Sequence, residues 1–143
     1  CGNGPDEDEL RKLIHEKKLE KQVQLIGFRT DMNEILQTAD VFAFPSIREG
    51  LGIAAIEALA CGVPLIVADN RGTREYLHND KNGLICDAFD RNAFVAAIDK
   101  VYSNVEYRKK LADYCRESVI QFSTEETVRT MERIYSTMEK RIS

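Results

Sequence analysis

The sequence contains no apolar run approaching the roughly 20 residues that a membrane-spanning helix needs, so a helical integral membrane protein is excluded. It has no excess of basic charge. Lys and Arg number 20 against 24 Asp and Glu, a formal net charge of −4. A dedicated nucleic-acid binder carries a basic face, so no nucleic-acid partner is expected. Cysteine is sparse, and none of Cys1, Cys61, Cys86 and Cys115 forms a C-x-x-C pair. A zinc or thioredoxin-like motif therefore has no support, and buried, reduced thiols of a cytosolic protein are expected. The two histidines, His15 and His78, stand alone in polar surroundings and read as surface residues. No Ser/His/Asp set can be assembled around them. Internal repeats, low-complexity tracts and Pro/Ser-rich linkers are lacking too, as is a signal-peptide pattern. The first residue is Cys1 rather than Met, and Cys1–Pro5 reads like the exit of a strand whose body lies elsewhere. The expectation is a piece of a longer protein, with function to be argued for piece and parent separately.

What remains is 143 residues, about one domain, with short apolar runs alternating with helical patterns over the first 100 residues. The strand candidates are Val23–Gly27, Val41–Pro45, Pro64–Ala68 and Gly83–Cys86. Val41–Phe44 and Leu65–Ala68 are apolar at every position, which suits central parallel strands covered on both faces. Pro45 and Pro64 fall at strand ends, where a missing N–H is tolerated. Asp31 and Glu34 resemble a capping box ahead of Met32, Ile35, Leu36 and Ala39. Leu51–Cys61 reads as a second helix stopped by Gly62 and Pro64, and Thr73–His78 as a short third. Asp90 is placed to cap a fourth, with Phe94, Ala97, Ile98 and Val101 on one face. This βαβαβα order predicts an α/β fold, a Rossmann-like parallel sheet with flanking helices. After residue 102 the strands stop. One helix is expected through Leu111, Tyr114, Cys115, Ser118 and Phe122. A last one follows the capping box Ser123–Glu126, with Val128, Met131, Tyr135, Met138 and Ile142 apolar. The spacing in that last helix is too short for a coiled coil, and packing on a missing part or on this domain is expected. The whole of 1–143 is thus expected to form one domain fragment, with 103–143 its C-terminal helices.

Open parallel sheets bind ligands at the carboxyl ends of their strands. Three loops qualify: Gly27–Thr30, Pro45–Gly52 and Asp69–Thr73. The middle loop carries Gly50 and Gly52 into a helix, so backbone N–H groups and the helix dipole can face a phosphate. By itself a two-glycine turn is weak evidence. Glu57 adds to it, because its same-face neighbours Ile53, Ala54, Ala60 and Cys61 offer no cation. Its carboxylate must take a partner from elsewhere, face water, or bind a polar ligand. Glu49, eight positions earlier, lies at the mouth of the same helix, where capping is the plain alternative.

The stretch Glu49–Pro64, EGLGIAAIEALACGVP, resembles the E-x7-E motif and its E-A-x-A-x-G-x-P continuation in the C-terminal, donor-binding domain of GT-B glycosyltransferases of family 4 (glycosyl transferases group 1). Gly4-Pro5, Gly27-Phe28-Arg29, Ala39-Asp40-Val41, Pro45-Ser46 and Asn82-Gly83 fall where that family's patterns place them, so the likeness covers roughly residues 1–100. The resemblance implies that Glu49, the residue placed at the catalytic position, hydrogen-bonds hydroxyls of the donor sugar. It also implies that Gly50, Leu51, Gly52 and Ile53 hold the diphosphate through their backbone, and that Glu57 binds the ribose hydroxyls. Phe28 and Arg29 would line the base pocket. Arg71–Glu75 resembles the R-G-x-R-E/D variant of capsule and exopolysaccharide enzymes, so Arg71 and Arg74 would assist the diphosphate or an anionic substrate, with surface ion pairing an equal alternative. Arg48 reads as structural or solvent-facing.

Asp6-Glu7-Asp8 has D-x-D spacing but opens a helix, where acids are ordinary dipole partners. No metal is expected, and the family it resembles is metal-independent. No cofactor is implied either, since the nucleotide sugar, a UDP-sugar by expectation, is a substrate. The family's phosphate-binding Arg and Lys would lie upstream of Cys1, as would the acceptor-binding N-terminal domain. In the usual strand order 3-2-1-4-5-6, two central strands would be absent as well. The parent is expected to be a cytoplasmic, retaining hexosyltransferase of polysaccharide biosynthesis. It would serve a glycan or lipid-linked acceptor, and peripheral membrane contact through the missing domain stays open. The fragment alone should be inactive. A non-catalytic nucleotide-binding or scaffolding module remains the alternative. A phosphoacceptor receiver-like domain fits poorly, since Asp40 and Asp69 do not make its acidic cluster.

Overall fold

The computed structural model describes residues 1–142, with side chains through residue 138. The chain divides into two compact units, residues 1–32 and 33–143.

The first unit is built on α1 (Glu7–Glu16), whose first turn holds Glu7, Asp8 and Glu9. Arg11 closes an i, i+4 ion pair on Glu7 at 2.6 Å, and Asp6 occupies the N-cap without a side-chain cap hydrogen bond. His15 is exposed, as expected, and its Nδ1 lies 2.9 Å from a Glu20 carboxylate oxygen. The strand expected at Val23–Gly27 is not formed. A strand is defined by its pairing, and this stretch finds little of it. The Gly2 N–H donates to the Gly27 carbonyl at 2.7 Å, and the Phe28 N–H to the Asn3 side chain at 3.1 Å. Val23 and Ile26 accordingly stay exposed.

After α2 (Met32–Gln37), which buries Leu36, the second unit runs β1 (Phe42–Phe44), α3 (Ile53–Ala60), β2 (Leu65–Ala68) and β3 (Gly83–Cys86). The order along the parallel sheet is β1-β2-β3, with Phe42 beside Leu65 and Ile66 beside Leu84. Every residue of β2 is buried, as its unbroken apolar run predicts for a strand covered on both faces. Ile66, Leu84 and Cys86 pack with Ala97 and Val101 of α4 (Arg91–Ser103) and with Leu111 of α5 (Val105–Ser118). By the period of two, Leu65 and Val67 face the other way. Asp90 caps α4 as expected, its carboxylate accepting from the Asn92 and Ala93 N–H groups, a cap worth about 1 kcal/mol.

Some elements depart from expectation. Asp31 does not hold the start of α2. Both its oxygens take the Arg29 guanidinium, a stronger, charge-assisted partner. The helix expected from Leu51 begins two residues later, because Gly52 adopts the left-handed conformation (φ +75°) at its N-cap. The third helix is only a 3-10 turn, Thr73–Glu75. Ile98 is exposed although it lies on the apolar stripe of α4. Phe122 lies past the end of α5 in the 3-10 turn Ile120–Phe122. α6 (Thr124–Ile142) starts where expected, with the Ser123 hydroxyl accepting from the Glu126 N–H at 3.3 Å. Its Val128, Met131, Tyr135 and Met138 are exposed, and the Ile142 side chain lies outside the described residues. No helix among the described residues is long and apolar enough to cross a membrane.

The cysteines are free thiols in graded environments. Cys86 and Cys115 are buried, Cys61 is half-buried and Cys1 is exposed, against the expectation of burial. Burial, assisted by Asp113, pushes the Cys115 thiol up to about 12, and burial with Asp90 raises Cys86. Since the thiolate is the reactive form, an aromatic disulfide reagent at neutral pH should label Cys1 at once. Cys86 and Cys115 should react only after denaturant is added. Mass spectrometry of the labelled peptides checks this order.

Candidate functional site

The site grows from the carboxyl ends of β1 and β2. Beyond β1 the chain turns through Pro45 and Ser46 to the loop Glu49–Gly52, which delivers it to α3. Three contacts fix this loop. The Ser46 hydroxyl donates to a Glu49 carboxylate oxygen at 2.6 Å. The Asn70 amide, just beyond β2, donates to the Ser46 carbonyl at 2.8 Å. Gly72 forms the floor, where a Cβ would stand 2.8 Å from the Glu49 carbonyl and 3.0 Å from that of Gly50. The loops after β1 and β2 are thus one structure. Thr73 secures the second of them, its hydroxyl 3.0 Å from both the Ala68 and Asn70 carbonyls.

At the head of α3, Gly52 is buried and no side chain caps the helix. Its first N–H groups are therefore available to an anion. Beside Gly52 lies the Tyr76 hydroxyl, 2.7 Å from where a Cβ on Gly52 would be. Tyr76 is 0% exposed and its hydroxyl has no hydrogen-bond partner. Burial, reinforced by the Glu49 carboxylate, pushes this phenol up to about 12.

The sequence-predicted residues divide clearly. Glu49, Gly50, Leu51, Gly52 and Ile53 form a continuous rim, with Glu49 half-buried and Ile53 66% exposed. Glu57 is one turn past Ile53 on the same exposed face of α3, while Ala55, Ala58 and Leu59 are buried on the other. Glu57 makes no ion pair among the described residues and faces solvent. Arg74 takes the alternative of surface pairing: its Nε and Nη2 bind Asp69 at 2.7 and 2.8 Å, which raises Arg74 and holds Asp69 below the usual carboxylate range. Arg71, on the same turn, is exposed and has no ion-pair partner among the described residues. Arg48 is exposed, as expected. Phe28 and Arg29 belong to the first unit, where Phe28 is 72% exposed and Arg29 is paired with Asp31.

Asn70 and Tyr76 were not singled out in the sequence as parts of the site, and Ser46 entered only through its loop and the Pro45-Ser46 pattern. Asn70 lies in a loop that was, and its reach to Ser46 depends on β1 and β2 being neighbours. Tyr76 gives no local signal, because an aromatic residue after a polar turn reads simply as core.

Comparison with known proteins gives the family of the chain. The family model for glycosyl transferases group 1 matches residues 1–118. EpsD of Bacillus subtilis (strain 168) is 36% identical over 136 residues, covering 95% of this chain and 36% of EpsD. The lipopolysaccharide core biosynthesis glycosyltransferase LpsE of Rhizobium meliloti (strain 1021) is 30% identical over 125 residues, 87% of this chain and 37% of LpsE. Among solved structures, a mutant of S. aureus TarM crystallised with UDP superposes with a TM-score of 0.84 at 25% identity, over 92% of this chain and 27% of that one. The chain spans about a third of the length of these proteins. It belongs to the glycosyl transferases group 1, as a C-terminal domain of the GT-B fold.

Proposed function

We propose that residues 1–143 are the donor-binding part of a glycosyltransferase that moves a sugar from a UDP-sugar to a glycan or lipid-linked acceptor in polysaccharide biosynthesis. The observation that carries this reading is the uncapped head of α3, approached by a loop that two neighbouring turns pin in place. A diphosphate there would accept from the first helical N–H groups, which need no reorganisation as negative charge builds on the leaving group. Glu49, held by Ser46 through one oxygen, keeps the other for a hydroxyl of the donor sugar. Glu57, solvent-facing and unpaired, is free for the two ribose hydroxyls. Arg71 supplies an exposed cation next to the loop floor, whereas Arg74 acts through its hold on Asp69. Phe28 and Arg29, in the first unit, are assigned to the base on the family resemblance alone.

The family resemblance supports retention of anomeric configuration, a hexosyl donor and chemistry without a metal. The acceptor is bound chiefly by an N-terminal domain outside this chain. The protein works in the cytoplasm, any membrane contact falls to that other domain, and residues 1–143 alone are inactive in transfer.

Titration calorimetry of the chain with UDP tests the reading. Weak binding is expected, and Glu57→Ala should lower affinity about tenfold or more, the loss of hydrogen bonds to a charged acceptor. Equal affinity in the variant would remove Glu57 from the ribose role.

A further inference from the structure

The Tyr76 hydroxyl is an anomaly in an otherwise satisfied interior. It is fully buried, yet has no acceptor, while other buried polar side chains such as Thr73, Asn82 and Ser118 are hydrogen-bonded. An orphaned buried hydroxyl costs free energy that phenylalanine, of the same shape, would avoid. The hydroxyl therefore does nothing for the stability of the ligand-free fold. Its position is specific. It fills the space that a Gly52 side chain would occupy, at the N-cap of α3. Two unmet needs thus meet at one point: helix N–H groups without a cap, and a phenol O–H without an acceptor. In the loop that leads to them, Gly50 is exposed, and a Cβ there would meet nothing within 4 Å.

We propose that Tyr76 is a positioning residue for the donor-binding loop: when a nucleoside diphosphate docks at the head of α3, the loop Glu49–Gly52 settles so that one of its carbonyls accepts from the Tyr76 hydroxyl. The inference rests on the donor-site reading above. The bound loop gains the hydrogen bond that the free loop lacks, so the hydroxyl favours the liganded state over the free one. The raised phenol agrees with a group that stays protonated, and therefore a donor, across the physiological range.

The test uses the chain with tyrosine labelled at the ring carbon that bears the oxygen, and UDP as the probe. Tyr76→Phe identifies the Tyr76 resonance among the five tyrosines. UDP should shift that resonance together with the Ile53 and Ala54 amides. Tyr76→Phe should raise the Tm of the free chain while weakening UDP binding roughly three- to tenfold, the worth of one neutral hydrogen bond. The opposite signs matter, because a purely structural tyrosine would not improve one and harm the other. If UDP moves the two amides but not Tyr76, and Tyr76→Phe binds as tightly, the positioning role is overturned and the donor site stands. If UDP moves none of these signals, the donor site falls and this inference with it.

Discussion

Asn82→Ala is expected to destabilise the second unit by about 3–5 kcal/mol, a large effect for one small side chain. Asn82 is 0% exposed, and its amide serves three elements. Its Nδ2 donates to the Tyr76 carbonyl at 2.9 Å and to the Ser118 hydroxyl at 2.8 Å, while its Oδ1 accepts from the His78 N–H at 2.8 Å. It thereby ties the turn after the 3-10 segment to α5 and to the entry of β3. Alanine would strand these groups in a dry interior, where each unmet one costs about 1–3 kcal/mol. Ser118→Ala should cost far less, about 1 kcal/mol, because it removes one bond and the Asn82 amide keeps the Tyr76 carbonyl. Urea unfolding of both variants checks the order. Equal losses would mean that the Asn82–Ser118 contact, rather than the three-way junction, holds the site. The junction bears on the candidate site too, since the Tyr76 backbone carries the ring whose hydroxyl lies beside Gly52.

The reasons why parts of this structure could be read from residues, and others not, are physical. β2 was legible because a strand buried on both faces needs an unbroken apolar run, and Leu65–Ala68 is one. Phe42–Phe44 is found as a strand too, but against the expectation of a central, covered one it lies at the edge of the described sheet with Ala43 exposed, because no further strand pairs on its outer side among the described residues. Val23–Gly27 has a comparable pattern but no ladder, because strand propensity is expressed only where a neighbour supplies hydrogen bonds. The Asp90 and Ser123 caps act over three residues and were visible at that range. Asp31 was not, since a cap can be outcompeted by a cation two residues away. At the candidate site, Glu49 and Glu57 were singled out through the E-x7-E pattern, with Glu57 also marked by a helix that offers it no partner. The two arginines looked equivalent in sequence. Only the fold separates them, by giving Arg74 to Asp69. Asn70 and Tyr76 act across loops brought together by the parallel sheet, and no local pattern encodes such a meeting.

Gly52→Ala should cost about 2–4 kcal/mol and at least tenfold in UDP affinity, through two separable causes. The first is conformational. Gly52 sits at φ +75°, where an L side chain costs roughly 1–2 kcal/mol. The second is steric. The new Cβ would stand 2.7 Å from the Tyr76 oxygen and 3.2 Å from a Phe44 ring carbon, and Tyr76 is too deeply buried to swing aside. Relief must come from the loop, which would lift the amides at the head of α3 away from a bound diphosphate. A double-mutant cycle in urea divides the two causes. Tyr76→Phe removes the oxygen that meets the new methyl group, so Gly52→Ala should cost about 1 kcal/mol less in the Tyr76→Phe background than in the parent chain. The conformational share should persist in both. If the cost is the same in both backgrounds, the contact between Gly52 and Tyr76 carries no strain, and the hydroxyl does not press on the N-cap of α3.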